Sequence, residues 1–277
     1  MKVTFWGTRG SIASAGPETK GYGGNTACVQ VAGRDGTCLV LDAGTGIRQL
    51  GATLPPDVRR IDVLLSHLHM DHIQGLGFFA PLFEGGLEVH IWGPPSATLD
   101  LRARLTRYLS PPLFPVRLRD LTSRVELHNA PDEPTQIGGL EVTAASVIHP
   151  GPTVGYRVRE DGATLAYLPD HEPALGTGAF PGSADWTSGS ELAADVDVLI
   201  HDAQYFPDER ESRVGWGHSS SVEAAAFATL CGARRLVCFH HDPAHDDAAI
   251  DRLVADVGAA SPGIEVSGAR EGETLEP

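Results

Sequence analysis

Four metal-binding side chains within six residues constrain this chain more than any other feature. Positions 66–72 read Ser-His-Leu-His-Met-Asp-His and follow directly on the apolar run 61–65. A strand that ends in a turn here puts His67, His69, Asp71 and His72 on one loop at a sheet edge. Imidazole and carboxylate are donors that suit zinc, manganese or iron. Four such groups held together without a cation are costly to desolvate. The spacing therefore predicts a metal site at the end of a β-strand, which a lone histidine in a turn would not.

The rest of the pattern says what kind of scaffold carries that loop. Strand-like apolar segments recur at 2–7, 28–33, 37–42, 61–66, 87–92, 140–148, 154–159, 163–168, 197–201, 235–239 and 264–267. Helical periodicity falls between several of them, at 46–54, 73–79, 96–109, 220–231 and 248–259. Ser219 or Ser220 is placed to cap the helix through Ala224-Ala225-Ala226. Each half of the chain has hairpin-like strands followed by strand–helix alternation. Two such halves predict a mixed α/β, four-layer αββα sandwich in one domain over residues 1–277. Segments 13–24 and 173–189 are rich in glycine or proline and read as surface loops.

Composition excludes several classes. A formal charge of −15 is the opposite of a surface built to grip nucleic acid. No apolar run approaches the 18 or so residues that a membrane span needs. The N-terminus enters a strand at once and lacks the features of a signal peptide. Cys28, Cys38, Cys231 and Cys238 form no Cys-x-x-Cys pair and lie in apolar segments, as buried thiols of a cytoplasmic protein do. A Cys28–Cys38 bridge across a hairpin is the competing reading of that pair.

The motif His67-x-His69-x-Asp71-His72 resembles the signature of the metallo-β-lactamase fold superfamily, and the resemblance extends over nearly the whole chain. It implies two divalent metal ions, zinc or else manganese or iron, at the seam between two sheets, with further ligands from later strand ends. His149 ends the segment 142–148 and matches the third histidine of the first site. Asp170, in Leu168-Pro169-Asp170, matches the bridging aspartate. His240 ends 236–239 and matches the last ligand of the second site, with His241 as its rival. The resemblance thus assigns His67, His69 and His149 to one metal, Asp71, His72 and His240 to the other, and Asp170 to both. An open coordination position distinguishes such a catalytic site from a closed structural one. Two close cations can supply a hydroxide near neutral pH, and Asp71 is placed to orient it.

Two local features point to phosphodiesters. Gly217-His218-Ser219-Ser220 resembles the His-Ser/Thr motif of the ribonuclease Z-like phosphodiesterase branch, which implies that His218 contacts the scissile phosphate and helps protonate the leaving group. Asp202, ending the strand 196–200, is placed to orient His218. The N-terminal segments 5–11 and 22–26 also resemble that branch, so Arg9 and Asn25 are candidates for substrate contact or for ordinary loop structure. The tRNA-gripping arm of ribonuclease Z, where present, is a long insertion between the positions of His149 and Asp170. Here those positions are 21 apart, enough for one hairpin. The expected substrate is a small phosphodiester, such as a cyclic nucleotide or cyclic sugar phosphate, with no stable nucleic-acid partner and no membrane. A homodimer is left open. The competing readings are a β-lactam, lactone or thioester hydrolase of the same fold, and a non-catalytic, metal-containing nucleotide-binding protein.

Overall fold

Period-two alternation of apolar residues sets the architecture in the computed structural model, which describes residues 1–176 and 180–277. The first half runs β1 (Lys2–Gly7), β2 (Cys28–Ala32), β3 (Cys38–Leu41), α1 (Ile47–Thr53), β4 (Arg60–Leu64), α2 (Met70–Ile73), β5 (Glu88–Gly93), α3 (Leu101–Thr106) and β6 (Arg124–Asn129). The second runs β7 (Thr135–Ile137), β8 (Leu140–Ser146), β9 (Val154–Glu160), β10 (Ala163–Leu168), α4 (Ser190–Ala193), β11 (Val198–Asp202), α5 (Pro207–Glu211), α6 (Ser221–Cys231), β12 (Arg235–Phe239), α7 (Asp247–Ala260) and β13 (Glu265–Gly268). The last strand, β14 (Thr274–Leu275), returns to pair antiparallel with β1.

Two seven-stranded sheets result, ordered β14-β1-β2-β3-β4-β5-β6 and β13-β12-β11-β10-β9-β8-β7. Their facing sides bury one apolar layer, with Phe5, Val29 and Leu41 from the first sheet against Tyr156, Leu165, Tyr167 and Phe239 from the second. A second layer lies under α1 and α3, through Ile47, Leu50, Leu101 and Leu105. A third lies under α4, α6 and α7, through Leu192, Phe227, Leu253 and Val257. Full burial of each such side chain contributes about 1.5–3 kcal/mol. The layer order is the αββα sandwich expected from the sequence.

The strands β3 to β6 run parallel, as do β10 to β13. Loops at the carboxyl ends of parallel strands are where α/β sheets build sites. The hairpin between β9 and β10 turns through Asp161 and Gly162, both at positive φ, so only a two-residue turn separates them.

Several expectations are corrected. The helix predicted over 96–109 is α-helical only over Leu101–Thr106, because Asp100 caps it by accepting from the Ala103 N–H. The helix predicted over 73–79 divides into α2, which starts earlier at Met70, and a 3-10 stretch over Gln74–Phe78. β6, β7 and β14 were not foreseen: they are short or half-buried edge segments with weak alternation. Ser220, not Ser219, caps α6: its hydroxyl accepts the Glu223 N–H while the Glu223 carboxylate accepts the Ser220 N–H. All four cysteines are free. In the β2–β3 hairpin Cys38 faces Ala32, which leaves Cys28 at the opposite end of the pair. Within 173–189 the described residues carry a 3-10 turn over Ala184–Trp186, and Gly178 lies outside the described residues.

Candidate metal centre

Strand ends deliver the candidate ligands to one point. The turn after β4 carries His67 and His69, and the first turn of α2 carries Asp71 and His72. His149 comes from the loop after β8, Asp170 from the end of β10, and His240 from the end of β12. Ligand-type atoms of His67, His69 and His149 cluster together, as do those of Asp71, His72 and His240. Asp170 lies between the two groups. Its Oδ1 is 3.8 Å from both His67 Nε2 and His149 Nε2 and 3.3 Å from His240 Nε2, and its Oδ2 is 3.1 Å from His72 Nε2.

The spacing suits metals better than hydrogen bonds. Ligands bound tetrahedrally at 2.0–2.1 Å lie about 3.4 Å from one another. His69 Nδ1 is 3.2 Å from His149 Nε2, and His240 Nε2 is 3.3 Å from His72 Nε2 and 3.2 Å from Asp71 Oδ2. His67 Nε2 and Asp170 Oδ2 are buried without a hydrogen-bond partner. Native structures leave few such atoms orphaned, and each calls for a partner. The donor set therefore fits a pair of divalent cations.

The charge balance points the same way. Burial opposes charge on Asp170, yet the His240, His72 and His67 rings hold its carboxyl well below the ordinary range. Burial, then the neighbouring His72, pushes His67 well below its usual value, which leaves the neutral imidazole that binds a metal. His72 goes the other way: against burial, Asp170, Asp71 and Asp42 raise it well above its usual value. Three carboxylates, those of Asp170, Asp71 and Asp42, thus favour positive charge at this point.

The far side of three of the rings is tied down. His72 Nδ1 donates to Asp42 Oδ2 at 2.8 Å, His149 Nδ1 to the Gly217 carbonyl at 2.8 Å, and His240 Nδ1 to Gln204 Oε1 at 3.1 Å. Each bond fixes the tautomer and leaves Nε2 free to bind a cation. Asp42 is wholly buried and also accepts from the Ser66 N–H, the Ser66 hydroxyl and the Tyr167 hydroxyl. Asp71 Oδ2 accepts the Ser11 N–H at 2.7 Å. Gly217, at φ 89°, is held against His149 so closely that a Cβ would collide with the ring. We expect Asp42→Ala to weaken metal affinity about 10–100-fold, measured by chelator competition. Unchanged affinity would mean that Asp42 does not orient His72.

His218 stands beside this cluster. Its ring stacks on His240 with centroids 5.0 Å apart, and its Nδ1 donates to Asp202 Oδ2 at 2.7 Å. Burial opposes charge on His218, but Asp202 raises it above its ordinary value. Asp202 is oriented in turn by the Ser219 and Gln204 N–H groups on Oδ1. Strand alternation sends its neighbour His201 to the other side of the sheet, where it stacks on Phe227 and meets His171.

Other candidates separate cleanly. His241 turns away from the cluster: its Nε2 donates to the Ala269 carbonyl at 3.0 Å, and burial lowers it to about 3. Arg9 is wholly buried and donates to the Gly23, Asp242 and His245 carbonyls, so it braces the N-terminal loop and is closed to substrate. Asn25 donates its side-chain amide to Glu271 and accepts from Thr45. Asp42 and Gln204 were missed in the sequence, as was the part Gly217 plays in holding His149. Asp42 ends the β-type segment 37–42, a position of the same kind as Asp170, and that was the one available signal.

Residues 37–241 match the family model described as the β-lactamase superfamily domain. The chain belongs to this superfamily. Among its relatives is the ribonuclease BN of Cronobacter sakazakii, 26% identical over 266 residues that cover 81% of this chain and 84% of the relative. Superfamily folds also match in three dimensions. The metallo-β-lactamase fold protein YhfI of Bacillus subtilis superposes with a TM-score of 0.73 at 21% identity over 99% of both chains. Zn(2+)-bound PqqB of Methylobacterium extorquens superposes with a TM-score of 0.68 at 22% identity over 100% of both. Among the described residues, no helix is long and apolar enough to cross a membrane.

Proposed function

We propose that this metal-dependent hydrolase of the β-lactamase superfamily works as a single domain in the cytoplasm and cleaves a small phosphodiester. His67, His69 and His149 would hold one divalent cation, Asp71, His72 and His240 the second, with Asp170 shared. Zinc suits the nitrogen and oxygen donors best, and manganese and iron are compatible. When bound, the pair supplies an activated water and neutralises charge on the phosphate oxygens.

The observation that carries the phosphodiester reading is His218, oriented by Asp202 at the edge of the cluster, with the carboxylate favouring its charged form against burial. An alkoxide leaving group needs a proton, and a cationic imidazole is the side chain suited to deliver it. Asp202 holds His218 Nδ1, which leaves Nε2 to give the proton. Asp71, whose Oδ2 lies 3.2 Å from His240 Nε2, would help hold the second cation and orient the water it activates. Kinship with a ribonuclease, whose bonds to be cut are phosphodiesters, supports this chemistry. The two-residue turn between β9 and β10 supports a small substrate, since no arm is built there.

The test is direct. Metal-loaded protein is expected to turn over bis(p-nitrophenyl) phosphate, and EDTA is expected to abolish the turnover. Cleavage of a β-lactam, lactone or thioester panel with no phosphodiester turned over would overturn the proposal.

A further inference from the structure

The metal cluster opens onto a cleft of about 300 Å³ that the proposed chemistry does not use. His67 and His69 form its floor. Leu68, Met70, Leu113, Pro150 and Pro152 form apolar walls, and Met70 and Leu113 are 48% and 69% exposed. Arg104 from α3, with Arg107 and Tyr108 from the turn that follows it, closes the far side.

These arginines are out of character for the chain. The protein carries a charge of −15, yet positions 101–119 hold Arg102, Arg104, Arg107, Arg117 and Arg119 and no acidic residue. The Arg104 guanidinium is pinned to the Asp100 and Pro94 carbonyls, while its Nη1 is enclosed with no partner. Among the described residues the Arg107 guanidinium has no hydrogen bond or ion pair. Burial lowers the Arg104 pKa, against the pull of Asp100. Holding a partly desolvated guanidinium beside a cationic site costs free energy unless an anion offsets it. An anion lodged there would be bound by charge-assisted hydrogen bonds, at a point where apolar walls exclude water.

We infer that this cleft takes the group esterified to the scissile phosphate, and that Arg104 and Arg107 select substrates in which that group carries a second phosphate. The inference rests on the phosphodiesterase reading and deepens it. The esterified group lies against Met70 and Leu113, the scissile phosphate at the metal cluster, and the second phosphate on Arg104 and Arg107. Arg107, at the exposed end, is a specificity residue for the substrate, with Arg104 behind it.

Thymidylyl-thymidine and its 5′- and 3′-phosphorylated forms provide the probes. We expect one phosphorylated form to exceed the parent in kcat/KM by at least about tenfold, mainly through KM, since a hydrogen bond to a charged group contributes roughly 1.5–3 kcal/mol. The preference is expected to shrink at high salt. In Arg107→Gln it should fall close to one. In Arg252→Gln, which removes a charge from the exposed face of α7, it should persist. Calorimetric binding of thymidine 3′,5′-bisphosphate against thymidine 5′-monophosphate should repeat the pattern without turnover. Equal kcat/KM for the three dinucleotides, or a preference that survives Arg107→Gln, overturns the inference and leaves the phosphodiesterase reading standing. A tenfold further gain with a ten-nucleotide strand overturns it in favour of a nucleic-acid substrate. Failure to cleave any phosphodiester, bis(p-nitrophenyl) phosphate included, removes both.

Discussion

His218→Ala is expected to lower kcat for a phosphodiester with a ribose or alkyl leaving group by about 10²–10⁴-fold, the usual contribution of a positioned general acid. The same variant should lose far less on bis(p-nitrophenyl) phosphate, because nitrophenolate departs without a proton. Dependence on the leaving group separates proton delivery from mere packing: a structural loss would lower both substrates alike. Asp202→Asn should follow the same pattern, weakened to roughly 10–100-fold, because the amide still touches His218 Nδ1 but lacks the negative charge that favours its protonated form. Metal content should be unchanged in both variants. An equal loss on both substrates would remove His218 from the chemistry and leave it as a packing residue against His240.

Asp170→Ala is expected to have the larger effect on the centre itself. Asp170 is the side chain whose oxygens face both histidine groups. Its removal leaves no shared carboxylate to screen two cations from each other. We expect metal content to fall to one ion or fewer per chain. Loss of several kcal/mol of charge stabilisation corresponds to a fall in activity of at least about 10³-fold. His241→Ala, at the neighbouring position to the candidate ligand His240, should keep the full metal content, since its ring is committed to the Ala269 carbonyl. Retention of both metals and activity by Asp170→Ala would refute the bridging role.

Much of this was legible because the candidate ligands follow apolar strands, and strands end where the pattern breaks. His149, Asp170 and His240 each stand at such a break, and the motif at 66–72 supplied the anchor. The layer order was legible too, since period-two runs alternate with helical ones. What the pattern could not carry was pairing across distance. Asp42 reaches His72 across 30 positions and Tyr167 across 125, and no local periodicity records that. For Arg9 the sequence left substrate contact and loop structure open, and the structure gives the second. An arginine in a glycine-rich loop has the sequence signature of a ligand contact, but here three backbone carbonyls claim the guanidinium. Net charge left one thing out: a total of −15 does not reveal the acid-free stretch 101–119, because a sum over the chain says nothing of where charges gather.

The most direct measurement is the number of metal ions per folded chain, by elemental analysis after dialysis of metal-replete protein, with His67→Ala and His240→Ala alongside. Two ions in the native chain, with each variant losing at least one, is the expected result. A folded native chain that retains none, or variants that retain both, would contradict a two-metal centre at the joined ends of β4, β8, β10 and β12.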